Sequence, residues 1–201
     1  MGVETIGSVR DCLRAKRHAI IEGWLARTLQ TYPEHTGQFL SQEKDPFRNP
    51  VGSTLKNALP VLFDGVLEGR DSAQITPALD SIVRIRAVQD FTASQAVAFL
   101  FLLKRVVREA MHRPPHPPLS PTVGGEEKGE RVSVVEDLAA LDGRIDEIAL
   151  LAFDLFMKCR ERIYEIKAKE ARRRIYVLER MYGMEPSASA CGPDLPLAPE
   201  P

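Results

Sequence analysis

The chain has 201 residues, and its 27 lysines and arginines against 28 aspartates and glutamates give a formal net charge of −1. This length is enough for one well-buried domain with appendages, and the balanced charge offers none of the support for nucleic-acid binding that a strongly basic chain would. The cysteines Cys12, Cys159 and Cys191 are far apart and lack metal-ligand spacing, so we expect a reducing environment without disulfides.

The apolar residues of the first part of the chain recur with the period of a helix. They predict one helix over residues 8–31 and a short helical piece over 34–40. Tyr32 and Pro33 separate the two, because the residue before a proline avoids the helical conformation.

The next two helices are marked by proline and asparagine. Asn49 and Pro50 predict a helix start, as the N-cap and the first helical residue. Pro60 predicts a kink inside this helix. A further helix is predicted over residues 72–89, and no segment of the chain favours a β-strand.

Two capping boxes predict the starts of the remaining helices. The first, Thr92 with Gln95, opens a helix that is apolar on all sides over residues 96–103, which indicates a fully enclosed central helix ending near His112. The second starts at Ser133. Residues 113–131 between them are rich in proline and glycine, and we predict a disordered internal loop there.

Residues 133–183 contain no proline and predict one long helix. Its first half carries an apolar seam, with spacings that alternate between four and three residues, as in a helix packed along its length. The seam consists of Val134, Leu138, Leu141, Ile145, Ile148, Ala152, Leu155 and Cys159.

The second half of this helix is basic, with nine lysines and arginines against four glutamates over residues 158–180. It carries a second apolar stripe in a shifted frame, which is typical of a local change in supercoil. We name this set the arm stripe: Tyr164, Ala168, Ala171, Ile175, Leu178 and Tyr182. The pattern predicts a coiled-coil arm that contacts a partner helix or a second copy of the chain. Contact with the phosphates of nucleic acid or lipid is disfavoured, because glutamates alternate with the basic residues.

The predicted organisation is therefore a helical bundle over residues 1–157, a basic helical arm over 158–183 and a disordered tail over 184–201. The longest apolar run has eight residues, 96–103, whereas roughly 20 are needed to cross a bilayer. The charged amino terminus does not fit a signal peptide. We expect a cytoplasmic protein without a membrane span.

No motif for nucleophilic, nucleotide-dependent or metal-dependent catalysis occurs in the chain. We expect a protein that is not an enzyme and has no catalytic residue, cofactor or metal. His18 could be considered as a haem ligand in an all-α domain, but its neighbours Lys16 and Arg17 favour the polar side of the helix. Cys159 could be redox-sensitive in its basic surroundings, although its place on the seam favours packing.

Two charge pairs at helical spacing, Asp80 with Arg84 and Arg86 with Asp90, lie in an otherwise apolar segment. The simplest interpretation is a pair of helix salt bridges. Their apolar surroundings suggest partial burial, which leaves a ligand pocket or a partner interface open. Arg84, Arg86 and Asp90, together with Trp24 as a possible wall of a cavity, are the candidate ligand or interface residues.

Several segments of the sequence resemble the amino-terminal domain of RsbRD, from the family of stressosome co-antagonists of the RsbT switch kinase. The resemblance rests on Trp24, Arg27-Thr28 and Tyr32-Pro33; on Asp45-Pro46-Phe47-Arg48-Asn49-Pro50-Val51-Gly52; on the ten residues 82–91; on Ser94-Gln95-Ala96-Val97; and on the eight residues 159–166. It implies an all-helical sensory domain, globin-like or a related bundle, that dimerises and passes a signal along a carboxy-terminal helix to a STAS domain. This sequence contains no STAS domain, so we expect a stand-alone form that acts through a partner in trans.

The leading hypothesis is a non-enzymatic regulatory or sensory module that signals through protein contacts of its long helix, as a homodimer with a protein partner. The alternative is a globin-like sensor that binds a small ligand or haem. A regulator that contacts nucleic acid and an accessory protein of a redox complex are supported less.

Overall fold

The computed structural model describes residues 9–43, 45–89, 91–112 and 127–182, with the backbone alone for residues 112 and 127–133. These ranges contain seven helices and no strand, so the all-α prediction with a long carboxy-terminal helix is confirmed. The helices are α1 (Val9–Ala15), α2 (Arg17–Leu29), α3 (Glu34–Gln42), α4 (Pro50–Glu68), α5 (Ser72–Val88), α6 (Ala93–His112) and α7 (Glu127–Met181).

The single helix predicted over residues 8–31 is wrong, because the chain bends at Lys16 between α1 and α2. The side chains at the bend explain it. Lys16 donates a hydrogen bond to the carbonyl of Ala110 in α6, with an Nζ–O distance of 2.6 Å. Arg17 makes a two-pronged ion pair with Asp64 in α4, with both N–O distances 2.8 Å. Contacts with two distant helices therefore override the local periodicity.

The start predicted for the long helix at Ser133 is also wrong, because α7 begins at Glu127. Residues 127–131, which the sequence assigned to a disordered loop, are helical. The rest of the predicted loop and the predicted tail after Tyr182 lie outside the described residues.

Both helix starts that the sequence assigned from asparagine and threonine are confirmed. The Asn49 side chain accepts a hydrogen bond from the backbone N–H of Gly52, and Pro50 is the first residue of α4. Thr92 and Gln95 form the reciprocal capping box before α6: the Thr92 N–H donates to the Gln95 side chain at 3.0 Å, and the Gln95 N–H donates to the Thr92 hydroxyl at 3.3 Å.

The chain divides into two compact units, Met1–Met157 and Lys158–Pro201. In the first unit, α2 packs against α4 and α6, and α4 packs against α5. The predicted seam of α7 closes this core through Leu141, Ile145, Ile148 and Ala152, all of which are buried. Helix α6 is not enclosed on every side as predicted, because Phe101 is exposed.

The turn between α4 and α5 holds Gly69 in the left-handed conformation, with a φ of 68°. A Cβ there would lie 2.9 Å from the guanidinium carbon of Arg144, a side chain of α7 that donates to the carbonyl of Val66 at 3.2 Å. Gly143, inside α7, has open space around it.

We expect Gly69→Ala to lower the free energy of unfolding by about 1 to 2 kcal/mol, because alanine is strained at positive φ and displaces Arg144. Gly143→Ala, the matched control, should raise it by about 0.5 to 1 kcal/mol, as alanine favours a helix interior. Urea unfolding followed by circular dichroism measures both. Equal stability of the two variants would contradict the capping geometry described for Gly69.

Candidate functional site

Arg84 and Arg86 do not converge on one site. Arg84 is exposed, and its Nε lies 2.6 Å from a carboxylate oxygen of Asp80, which confirms the predicted pair. Arg86 is completely buried. Two residues along a helix correspond to a rotation of roughly 200°, so the two side chains leave α5 on opposite faces. The second predicted pair includes Asp90, which lies outside the described residues.

The Arg86 side chain, on α5, makes hydrogen bonds with the start of α6 and with the residue pair that follows α2. Its Nη1 donates to the carbonyl of Gln95 at 3.0 Å and lies 3.5 Å from that of Ala96, at the start of α6. Its Nη2 donates to the hydroxyl of Thr31, just after α2, at 3.2 Å. The side chain therefore joins α5 to the end of α2 and to the beginning of α6.

Three aromatic rings surround the Arg86 guanidinium. Its central carbon lies 5.4 Å from the ring centre of Tyr32 and 5.0 Å from those of Phe91 and Phe99. Such rings attract a cation through the negative charge density of their faces. Tyr32 and Phe91 also contact each other edge to face, at 5.2 Å between centroids. The arginine thus occupies an aromatic cage inside the first unit.

Burial dominates the electrostatics of this cage. It lowers the pKa of Arg86, and the nearby Tyr32 opposes this shift. Burial also raises the pKa of Tyr32, while the positive charge of Arg86 acts in the opposite direction. In the described ranges, no carboxylate lies within ion-pair distance of Arg86. Its Nε and the Tyr32 hydroxyl are both buried, and a hydrogen bond between the two side chains opposes the effect of burial on the pKa of each.

Trp24 belongs to the same buried cluster. Its indole N–H donates to the carbonyl of Phe99 at 2.6 Å. Its ring is stacked on that of Phe99, with centroids 6.1 Å apart and an interplanar angle of 13°. Trp24 and Arg86 therefore both contact Phe99. The structure places Trp24 as a core residue, and its suggested role as a ligand or interface residue stays a prediction.

The arm stripe is uncovered. Tyr164, Ile175 and Leu178 are each at least half exposed, and Tyr182 is 78% exposed; Ala168 and Ala171 are exposed as well. Ion pairs along the helix hold charged side chains beside the stripe. Arg174 pairs with Glu170 at 3.0 Å, and Arg162 pairs with Glu165 at 3.1 Å. The arm thus presents an apolar line flanked by charges.

Exposed apolar residues on the bundle were not predicted as a surface from the sequence. Leu150, Phe153 and Met157 of α7 are exposed, at spacings of three and four residues. Phe101 of α6 is exposed too. The same periodicity that revealed the seam could have found this second stripe of α7. The loop residue Phe47 is also exposed, at 96%, and its N–H donates to the Asp45 carboxylate.

The described residues offer no evident centre for a metal or for haem. They contain no cluster of three or more histidine, cysteine or acidic side chains able to hold a metal ion. His18, the haem ligand considered from the sequence, is exposed on α2 and lies 3.2 Å from Glu22. Among the helices of the described part of the chain, none is long and apolar enough to span a membrane.

These features define a helical protein with one buried arginine in an aromatic cage and an exposed amphipathic stretch at the end of α7. The chain belongs to the family of the RsbT co-antagonist protein rsbRD N-terminal domain, whose model matches residues 18–171. The match begins within α2 and ends within α7, which confirms the resemblance seen in the sequence. Neither the curated proteins nor the solved structures contain a match to this chain.

Proposed function

We propose that this protein is a non-enzymatic, cytoplasmic sensory module that signals through protein contacts of α7. The family supports a stressosome-like sensor domain. The observation that supports signalling through α7 is the exposure of the six apolar side chains of the arm stripe. Apolar surface at this regular spacing is stabilised when a second helix covers it.

The charges beside the arm stripe favour a second copy of the chain in parallel orientation. With Ala168 and Ala171 as core positions a and d, a parallel pair brings Arg160 near Glu165 of the second copy, and Arg174 near its Glu179. One pair of this parallel arrangement is repulsive, because Lys167 lies near Arg172 of the second copy. An antiparallel pair would instead place Arg160, Lys167 and Arg174 against the same three cations of the second copy.

We expect the double variant Ile175→Glu/Leu178→Glu to weaken dimerisation by at least about 100-fold, because four apolar side chains of the dimer lose their burial and four like charges meet. Size-exclusion chromatography with light scattering over a range of concentrations measures this. The matched control is Ile166→Glu/Val177→Glu, which adds the same charge at exposed apolar positions outside the stripe. An unchanged dimer in the first variant, or equal weakening in the control, would contradict the arm stripe as the interface.

A protein partner in trans is the second part of this proposal. The family description refers to RsbT, and a purified RsbT-type kinase is therefore the first partner to test. If the arm stripe is the contact, the Ile175→Glu/Leu178→Glu variant should bind the kinase more weakly than the unaltered protein does. Binding that is equal for both would place the contact elsewhere, with the exposed bundle residues Leu150, Phe153 and Met157 as the next candidates.

A sensor of a small ligand is the second candidate function, and the buried guanidinium of Arg86 is the observation that favours it. A globin-like haem site has less support, since His18 is exposed. An optical spectrum of the purified protein distinguishes haem from a colourless ligand, because bound haem gives a Soret band.

Binding of nucleic acid by the basic arm is tested by its salt dependence, because contacts with phosphates make the affinity fall steeply as the salt concentration rises.

A further inference from the structure

A cleft of about 400 Å³ lies inside the first unit, between the turn that joins α4 to α5 and residues 144–151 of α7. Its volume is within the range of about 300 to 1,000 Å³ that is typical of small-molecule sites. Arg86 does not line it, so the cleft is separate from the aromatic cage. The chemistry of its walls indicates which ligand it can hold.

The floor of the cleft is apolar and its rim is charged. Val66, Ile75 and Ile148 line the cleft and are buried. Asp71 and Glu147 line it as well, and both are exposed. A ligand that fits both parts carries charge at one end and an aliphatic group at the other.

Arg144 is the cation of the cleft that can receive a carboxylate. Its Nη1 donates to the Val66 carbonyl at 3.2 Å, and its guanidinium carbon is 2.9 Å from where a Cβ on Gly69 would lie. The bond to Val66 uses one of the five N–H groups of the guanidinium. A carboxylate accepts two parallel hydrogen bonds from such a group. Arg70 also lines the cleft, but it is paired with Glu68 at 2.8 Å.

Two carboxylates line the same cleft. Asp71 occupies the N-cap position of α5, but its side chain makes no capping hydrogen bond. Glu147 follows Arg144 by three residues on α7, which is almost one helical turn. An ammonium group has three N–H donors and forms strong hydrogen bonds with carboxylates, so the two acids fit a primary amine. The cleft thus presents one cation for a carboxylate and two anions for an ammonium group.

We propose that this cleft binds a free amino acid with an aliphatic side chain, as its zwitterion. The Arg144 guanidinium binds the carboxylate, and Asp71 and Glu147 bind the ammonium group. The aliphatic side chain packs on Ile75 and Ile148. A simple carboxylic acid leaves the two acidic residues without a cation, and a simple amine leaves Arg144 without an anion. The cleft therefore selects a molecule that carries both charges.

A bound amino acid connects the two walls of the cleft, the α4–α5 turn and α7. Its role as a signal rests on the proposed sensory function: the amino acid is then the input, and it contacts the helix through which signalling is proposed. Binding is measured on the full chain, whether that chain is a monomer or a dimer. Failure of the dimerisation experiment therefore leaves this proposal standing, and failure of binding leaves the arm stripe to its own test.

Isothermal titration calorimetry of the full chain with leucine, isoleucine and valine tests the proposal, and the thermal midpoint is a second readout. At about ten times the dissociation constant, we expect the midpoint to rise by about 3 to 6 °C. Two probes each lack one charge of leucine: isocaproate has no ammonium group, and isoamylamine has no carboxylate. Each should bind at least about 10-fold more weakly than leucine, because hydrogen bonds to a charged group are lost.

Three variants locate the binding site. Glu147→Gln and Arg144→Met should each raise the dissociation constant of leucine by at least about 10-fold. Glu147 is exposed, so its variant should keep the fold even if loss of the bond to Val66 destabilises Arg144→Met. The matched control is Glu136→Gln, which removes an exposed carboxylate of α7 that does not line the cleft. It should leave the affinity for leucine unchanged.

Three results would overturn the proposal. The first is that none of the three amino acids binds at about 10 mM, well above a weak dissociation constant of about 1 mM. The second is that isocaproate or isoamylamine binds as tightly as leucine, because the cleft would then recognise a single charge. The third is leucine binding that is the same in Glu147→Gln and Arg144→Met as in the unaltered protein, because the amino acid would then bind elsewhere.

Discussion

Trp24→Ala should lower the free energy of unfolding by about 3 to 5 kcal/mol, the range observed when a large buried aromatic side chain is truncated. Trp24 is fully buried, stacks on Phe99 and donates its indole N–H to the Phe99 carbonyl. The variant loses all three contributions and leaves a cavity between α2 and α6. The thermal midpoint should fall by about 6 to 20 °C.

Two variants test the physical origin of this loss. Trp24→Phe keeps most of the buried ring but removes the indole donor, so it should cost less than half of the alanine effect. Phe47→Ala, which truncates an exposed aromatic residue, should stay within about 0.5 kcal/mol of the wild type. Urea unfolding measures the stability of all three variants, and it is followed by far-ultraviolet circular dichroism because that signal does not depend on the tryptophan. If Trp24→Ala were as stable as Phe47→Ala, Trp24 would not be the core residue described here.

Much of the fold could be predicted because its signals are local. The caps at Asn49 and Thr92 depend on residues three positions away, and the seam of α7 depends only on helical spacing. The bend at Lys16 could not be found in this way. It depends on Ala110 and Asp64, which are far away in the sequence.

The candidate site was predicted only in part. Arg86 follows Ile75, Leu79 and Ile82 at spacings of four, three and four residues, and this pattern places it on the buried stripe of α5. Periodicity could therefore have separated Arg86 from the exposed Arg84. The aromatic cage could not be predicted, because Tyr32, Phe91 and Phe99 come from separate segments that only the tertiary fold brings together.

Asn49→Ala is expected to have the second large effect, a loss of about 2 to 4 kcal/mol in the free energy of unfolding. The Asn49 side chain is buried, and it accepts from the Gly52 N–H at 2.7 Å. Removal of an N-cap costs about 1 kcal/mol. The side-chain amide of Asn49 also donates to the carbonyls of Leu40 and Glu43, at 2.8 and 3.0 Å. Each buried carbonyl left without a partner adds about 1 to 3 kcal/mol, reduced where water can enter.

Asn49→Asp separates the two roles of this side chain. The aspartate keeps an oxygen that can accept from Gly52, but it loses the N–H groups that satisfy the end of α3 and brings its negative charge near two carbonyls. We therefore expect it to be as unstable as Asn49→Ala at neutral pH. Thr54→Ala, which removes an exposed hydroxyl of the same helix, should change stability by less than about 0.5 kcal/mol. If Asn49→Asp were as stable as the wild type in urea unfolding, capping of α4 alone would account for the contribution of Asn49. The hydrogen bonds from Asn49 to the end of α3 would then add nothing to the free energy of unfolding.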